Sequence, residues 1–193
     1  GDRTQVTQTF YDDQLPWMTK TQNNLRHRVA SVTTEELYDG DDETYNHATH
    51  YSYDIHGNVS SLYQENPETG QASQQFKQLD YEYDLVSGNV NQVNYQKEEE
   101  DAWSHKYQYD ADNRIIEVET SEDGIVWDMD AKYHYYDHGP LARVELGQNN
   151  VQGLDYAYTI QGWLKAVNSN ALKSATDIGK DGANSGANAL FAK

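Results

Sequence analysis

The sequence predicts an all-β fold, an antiparallel meander of hairpins built from one repeated unit. Three observations carry that reading. First, ten of the 16 tyrosines fall in five Tyr-x-Tyr pairs: Tyr51/Tyr53, Tyr81/Tyr83, Tyr107/Tyr109, Tyr133/Tyr135 and Tyr156/Tyr158. Their second members are spaced by 30 (53 to 83), 26 (83 to 109), 26 (109 to 135) and 23 (135 to 158) residues. A period in the range of ~20–50 residues marks arrays whose units bury a face only against their neighbours. Second, polarity around the pairs alternates with period two, which is the period of a half-buried strand. Third, the pairs lead into short loops rich in aspartate, glycine and asparagine, the chemistry of tight hairpins.

Taken in chain order, residues 1–50 form a degenerate first unit. Phe10-Tyr11-Asp12 has the form of a tyrosine strand reaching its turn, and Arg26 to Val32 that of a return strand. The stretch between them, with Pro16 and Trp17, is an insertion. Residues 51–168 are the repeat proper. Tyr53 leads into Asp54, Gly57, Asn58 and Val59; Tyr83 into Asp84, Gly88, Asn89 and Val90; Tyr109 into Asp110, Asn113, Arg114 and Ile115. The aspartate accepts from loop amides, glycine or asparagine tolerates positive φ, and the aliphatic opens a return strand such as Arg114 to Thr120.

Trp103 to Asp110 alternates most clearly, with Trp103, His105, Tyr107 and Tyr109 on one face. Ile125 to Tyr136 repeats the pattern, with Trp127, Met129, Ala131, Tyr133 and Tyr135 together. The tyrosine pairs therefore lie on the apolar face. A second class of turn is acidic and variable, at 98–101, 121–124 and 66–70. Residues 169–193, rich in Ala, Asn, Ser and Gly, read as an irregular tail. The two ends of the sequence read as those of a segment cut from a longer chain.

Composition narrows the classes of function. Hydrophobic content is 36% and mean hydropathy is −0.97, so tyrosine must do the packing that aliphatics usually do. The formal net charge of −18 opposes nucleic acid and anionic membranes as partners. The absence of cysteine excludes disulfides and thiolate metal sites. No apolar run has the length of a membrane span.

The unit from Tyr51 to Val59 resembles the YD repeat of the RHS family. That family includes bacterial Rhs proteins, the shell-forming B and C components of Tc toxins, WapA-like wall proteins and the teneurins. Tyr133 to Leu146 and Val151 to Lys165 are similar to segments of large Bacteroidetes RHS proteins, and the resemblance covers residues 5–168. It implies a β-ribbon that spirals into a hollow shell around a C-terminal cargo or toxin domain, in a secreted or surface-exposed protein. The self-cleaving core of such shells carries an Asp-Pro motif, and this sequence has none, so no protease activity carries over. The family's Gly-Arg pair is replaced by Gly57-Asn58 and Gly88-Asn89, which leaves Arg114 and Arg143 as the candidates for inter-repeat ion pairs.

Each candidate site has a plainer reading. The tyrosine ladder is packing or, alternatively, a carbohydrate-stacking platform. Asp54, Asp84, Asp110 and Asp137 share one local context and so read as turn caps rather than catalytic carboxylates. Gly139 and Gly162 stand as further structural positions of the repeat, and Trp163 is expected to plug a layer of the sheet. The acidic run 39–43 has oxygen ligands for calcium but not the spacing of an EF-hand. His47 and His50, with Glu43, enter a strand at once, which argues against a metal site. The reading is a structural, non-enzymatic shell segment without metal or cofactor. Its partners are the rest of the same shell and its cargo, with a glycan-binding adhesin module as the alternative. Unpaired edges also predict edge-to-edge homodimers of an isolated segment.

Overall fold

The structure is a computed structural model that describes residues 3–38, 44–69, 72–149 and 151–168. It is a twelve-stranded, all-antiparallel meander in which sheet order follows chain order. The strands are β1 (Arg3–Tyr11), β2 (Val29–Tyr38), β3 (His47–Tyr53), β4 (Val59–Glu65), β5 (Phe76–Tyr83) and β6 (Val90–Tyr95). They continue as β7 (Trp103–Tyr109), β8 (Ile115–Ser121), β9 (Asp128–Tyr135), β10 (Leu141–Leu146), β11 (Gln152–Tyr158) and β12 (Leu164–Val167). A 3-10 turn at Pro67–Thr69 and one helical turn at Ala72–Gln75 join β4 to β5.

All five tyrosine pairs sit at strand ends, so the alternation read from the sequence is real. The boundaries differ in places. Ile125 to Trp127 lie outside β9 because the Asp123 carboxylate accepts the Ile125 and Val126 amides at 2.8 and 2.9 Å, holding them in the turn. Return strands begin one residue after the arginine, at Val29 and Ile115, because Arg28 and Arg114 are consumed in closing the turns.

Two compact units make up the chain: Gly1–Asp84 with Gln92–Trp103, and Leu85–Asn91 with Ser104–Lys193. In the first unit, the insertion between β1 and β2 packs down rather than looping out. Leu15 and Met18 are buried with Tyr63, flanked by Phe10, Trp17 and Phe76. The Gln22 side chain donates to the Ala30 and Tyr51 carbonyls at 2.6 and 2.8 Å, and the Asn23 amide donates to Ser52 Oγ at 3.0 Å. In the second unit, Tyr107 stands opposite Val118, Val118 opposite Ala131, and Tyr133 opposite Val144. Such aromatic–aliphatic cross-strand pairs stabilise a sheet by roughly 0.2–1 kcal/mol each.

Candidate functional site

Four hairpin turns share one backbone pattern. The residue after the second tyrosine donates its N–H to the carbonyl four residues on: Asp54 to Asn58 and Asp110 to Arg114 at 2.9 Å, Tyr136 to Pro140 at 2.9 Å, Thr159 to Trp163 at 2.8 Å. The third residue on donates back: Gly57 to Asp54, Asn113 to Asp110, Gly139 to Tyr136 and Gly162 to Thr159. These third residues have φ of 101°, 61°, 112° and 83°, which explains glycine or asparagine there. The same slot in the first unit is held by His27 (φ 61°), just before Arg28, whose carbonyl accepts from Asp12 N–H. Gly88 (φ 75°) serves the longer turn after Asp84.

Asp54 and Asp110 cap these turns as the sequence implies. Asp54 Oδ1 accepts the amides of His56, Gly57 and Asn58 at 2.7–2.9 Å. Asp110 accepts the Asp112 and Arg114 amides and the Arg114 guanidinium. Desolvation raises the Asp54 pKa, but the hydrogen bonds from Asn58, Gly57 and His56 outweigh it and hold the carboxyl below its ordinary range. For Asp110 the Arg114 amide is the leading cause of the same downward shift. Asp137 departs from this scheme. The slot equivalent to Asp54 is filled by Tyr136, and Asp137 lies one residue further on, exposed, because the chain between Tyr135 and Gly139 is offset by the extra tyrosine.

The second tyrosine of four pairs fastens its hairpin to the one before. Tyr53 Oη donates to the Val29 carbonyl at 2.8 Å, Tyr83 to Val59 at 2.9 Å, Tyr109 to Val90 at 2.8 Å and Tyr135 to Ile115 at 2.7 Å. Each acceptor is the aliphatic that opens the preceding return strand. Desolvation raises the pKa of all four phenols. The residue before the acceptor completes the joint. The Arg28 guanidinium lies 5.3 Å from the Tyr53 ring and against Gly57, and Arg114 lies 4.5 Å from the Tyr135 ring and donates to Gly139 at 3.4 Å. Asn89 reaches Asn113 at 2.9 Å in the same manner. The first tyrosines, Tyr51, Tyr81, Tyr107 and Tyr133, are half-buried on the same face as their partners. On β11 the order is inverted: Tyr136 Oη donates to the Tyr156 carbonyl at 2.8 Å and meets the Tyr158 ring edge-on at 6.4 Å.

Register is constant at these joints. The residue two after the opening aliphatic faces the residue three before the tyrosine: Ser31 with His50, Ser61 with Asp80, Glu117 with Lys132, and Arg143 with Asp155. Arg143 binds Asp155 at 2.8 Å and Glu145 at 3.0 Å, whereas Arg114 pairs within its own turn, with Asp110 and Asp112.

One buried cluster was not legible in the sequence. Ser31 Oγ lies 2.7 Å from His50 Nδ1, and His50 Nε2 lies 2.9 Å from Glu65 Oε2. Glu65 also accepts from Tyr45 Oη at 2.7 Å and from the Gln75 amide at 2.6 Å. Desolvation pushes the Glu65 pKa up, and the His50, Tyr45 and Gln75 hydrogen bonds outweigh it, so the carboxyl stays below its ordinary range. Desolvation, then Glu65, push the Tyr45 phenol well up. The residue types are those of a hydrolytic triad, but Ser31 and His50 are each 0% exposed, so no substrate carbon reaches the hydroxyl. The cluster satisfies buried polar groups beneath the insertion.

The remaining candidates fall as follows. Trp163 is 76% exposed rather than packed into the sheet; it occupies the slot of Arg28 and Arg114, whose cover is a following hairpin. Trp103 is 39% exposed at the mouth of β7, while Ser104 beside it is buried. Trp127 lies under Lys106 at 5.3 Å. His47 and His50 point to opposite faces of β3, and among the described residues no three His, Asp or Glu side chains are grouped to hold a metal ion. The acidic run 39–43 and the tail 169–193 lie outside the described residues.

The geometry has counterparts among solved structures. The chain superposes on the crystal structure of TcdB2-TccC3 with a TM-score of 0.51 at 14% identity, covering 80% of this chain and 9% of that one. It matches the TcdB2-TccC3-Cdc42 crystal structure with a TM-score of 0.50 at 14% identity, covering 73% of this chain and 8% of that one. The fold is the one these chains carry. No family model matches the sequence. No curated protein matches it either. The chain spans less than a tenth of the length of the structures it resembles. No helix among the described residues is long and apolar enough to cross a membrane.

Proposed function

We propose that this chain is a structural wall segment of an RHS-type shell. The observation that carries the reading is the repeated joint, in which each tyrosine hydroxyl is spent on the backbone carbonyl of the preceding hairpin. A ring tied in this way holds neighbouring strands together and has no hydroxyl proton left to donate to a ligand. The likeness in fold to TcdB2-TccC3 and the sequence resemblance to the shell components of Tc toxins support the same reading from two sides. On this reading the segment belongs to a larger secreted or surface protein, its partners are the neighbouring shell and an enclosed cargo, and it catalyses nothing. The test is the double variant Tyr107→Ala with Tyr109→Ala. The wall reading expects a large fall in the urea unfolding midpoint and no saturable hit for the parent chain on a glycan array. A variant that unfolds like the parent but loses glycan binding would instead make the chain a carbohydrate-binding module.

A further inference from the structure

The insertion between β1 and β2 is tied to a buried carboxylate. Trp17 Nε1 donates to Tyr45 Oη at 3.2 Å, and Tyr45 Oη donates on to Glu65 Oε2 at 2.7 Å. The same oxygen meets His50 Nε2 at 2.9 Å, and Oε1 takes the Gln75 amide at 2.6 Å. One carboxylate thus accepts three bonds in a place that is 6% exposed. The other groups around the pair are Ser31 from β2, Tyr63 opposite His50 on β4, and the Phe76 ring from β5. The insertion adds Leu15, Met18 and Trp17, none of which carries a charge. Lys77 of β5 is engaged with Asp101.

We propose that this cluster is an acid-operated latch: a proton taken up at Glu65 frees the insertion and opens the polar face of β3 to water. A proton on His50 breaks no bond, because Ser31 Oγ then accepts from Nδ1–H where before it donated. A proton on Glu65 is different. On Oε1 it opposes the Gln75 amide, and on Oε2 it opposes both Tyr45 and His50. It also leaves a buried imidazolium without its counter-charge, and such a charge has to reach water. The strands around it are held by ladders that pair Ser31 with His50, His50 with Tyr63 and Glu65 with Phe76. The insertion is held by its apolar contacts and by the bonds of Gln22, Asn23 and Asn24 to β3. Lifting it is the cheaper way to admit water. Desolvation acts upward on the Glu65 carboxyl, but its three bonds outweigh it and hold the group below its ordinary range. The latch is therefore closed above about pH 4 and opens as pH falls through the lower folded value. The inference rests on this cluster and not on the shell reading.

The test is amide hydrogen exchange on the full chain from about pH 6 to about pH 3, corrected for the intrinsic pH dependence of exchange. The reporters are the amides of Met18, Asn23 and Tyr53, which donate to the Leu15 carbonyl, Ser52 Oγ and the Asn23 carbonyl. Their protection should fall about tenfold or more at the acid end and recover on return, while the ladder amides of β4 and β5 keep theirs. Glu65→Gln puts an N–H donor where the acid form has its hydroxyl, and should show the low protection already at the starting pH. Reporter protection that does not change, ladders that open together with the reporters, or a Glu65→Gln chain protected like the parent each overturns the latch. Should Glu65→Gln fail to fold, the parent's own series decides.

Discussion

β3 and β9 carry the same Tyr-x-Tyr ending and the same joint, yet their other faces have opposite fates. On β9, Asp128, Asp130, Lys132 and His134 are all exposed, and only Ala131 on the tyrosine side is buried. On β3, Ala48, His50 and Ser52, the residues opposite the tyrosine face, are buried. The difference comes from the insertion between β1 and β2, which lies over β3 and excludes water from its polar face. Once water is gone each polar group needs a partner, and the Ser31–His50–Glu65–Tyr45 chain provides them. On β9 solvent does that work, and polar contacts such as His134 Nε2 with Glu145 at 3.5 Å stay at the surface. The lesson is that the tyrosine joint is independent of what covers the opposite face.

The sharpest way to break the comparison is Glu65→Ala. It strands the Nε2 side of His50, the Tyr45 hydroxyl and the Gln75 amide, and is expected to cost about 3 kcal/mol in urea unfolding, the scale for breaking a buried charged partner. Lys132→Ala on exposed β9 should stay within about 0.5 kcal/mol. If the two cost the same, the insertion does not seal the β3 face.

Gly57→Ala against Gly139→Ala comes next. Both glycines have positive φ, so each replacement costs about 1–2 kcal/mol from backbone strain. A Cβ at Gly139 meets nothing within 4 Å, whereas one at Gly57 would meet the Arg28 guanidinium at 2.9 Å. Gly57→Ala should therefore be the more damaging by urea midpoint and should also loosen the Arg28–Tyr53 contact, visible as a change in tyrosine fluorescence.

Tyr53→Phe and Tyr135→Phe sharpen the claim that the joint is independent. Each removes one hydroxyl-to-carbonyl bond and should cost about 1 kcal/mol, the same in both places. A difference much larger than that between them would tie the joint to the opposite face after all.

The smallest effect is in the pH profile. The folded-state pKa values of Asp54, Asp110 and Glu65 are depressed, so the stability they contribute is present above the ordinary carboxylate pKa of about 4 and is lost as pH falls through their lower folded values. Thermal midpoints should therefore fall as pH drops below about 4. Asp110→Asn should flatten part of that fall.

Much of this architecture was readable beforehand because it is local. Alternation placed Trp103 to Asp110 on a strand, of which Trp103–Tyr109 is β7, and the demand for positive φ marked Gly57, Gly88 and Asn113. Asp54 and Asp110 were legible as caps because their partners lie within four residues. Asp137 was misread because the extra Tyr136 shifts the turn by one place, and only the hydrogen-bond register shows it. Trp163 was misread because its cover is a strand from another hairpin, and an indole in a hydrophobic stretch looks the same in sequence whether or not that strand arrives. The His50 cluster left no signal because its members are 15 and 19 residues apart and meet only across three strands.

By itself the sequence determined the strands, their turns and their meander order, since each depends on side-chain parity and on backbone angles that a few adjacent residues impose. Tertiary structure alone decided which carbonyl each tyrosine reaches and which face of β3 loses its water. Those outcomes depend on distances between strands, which no run of neighbouring residues encodes.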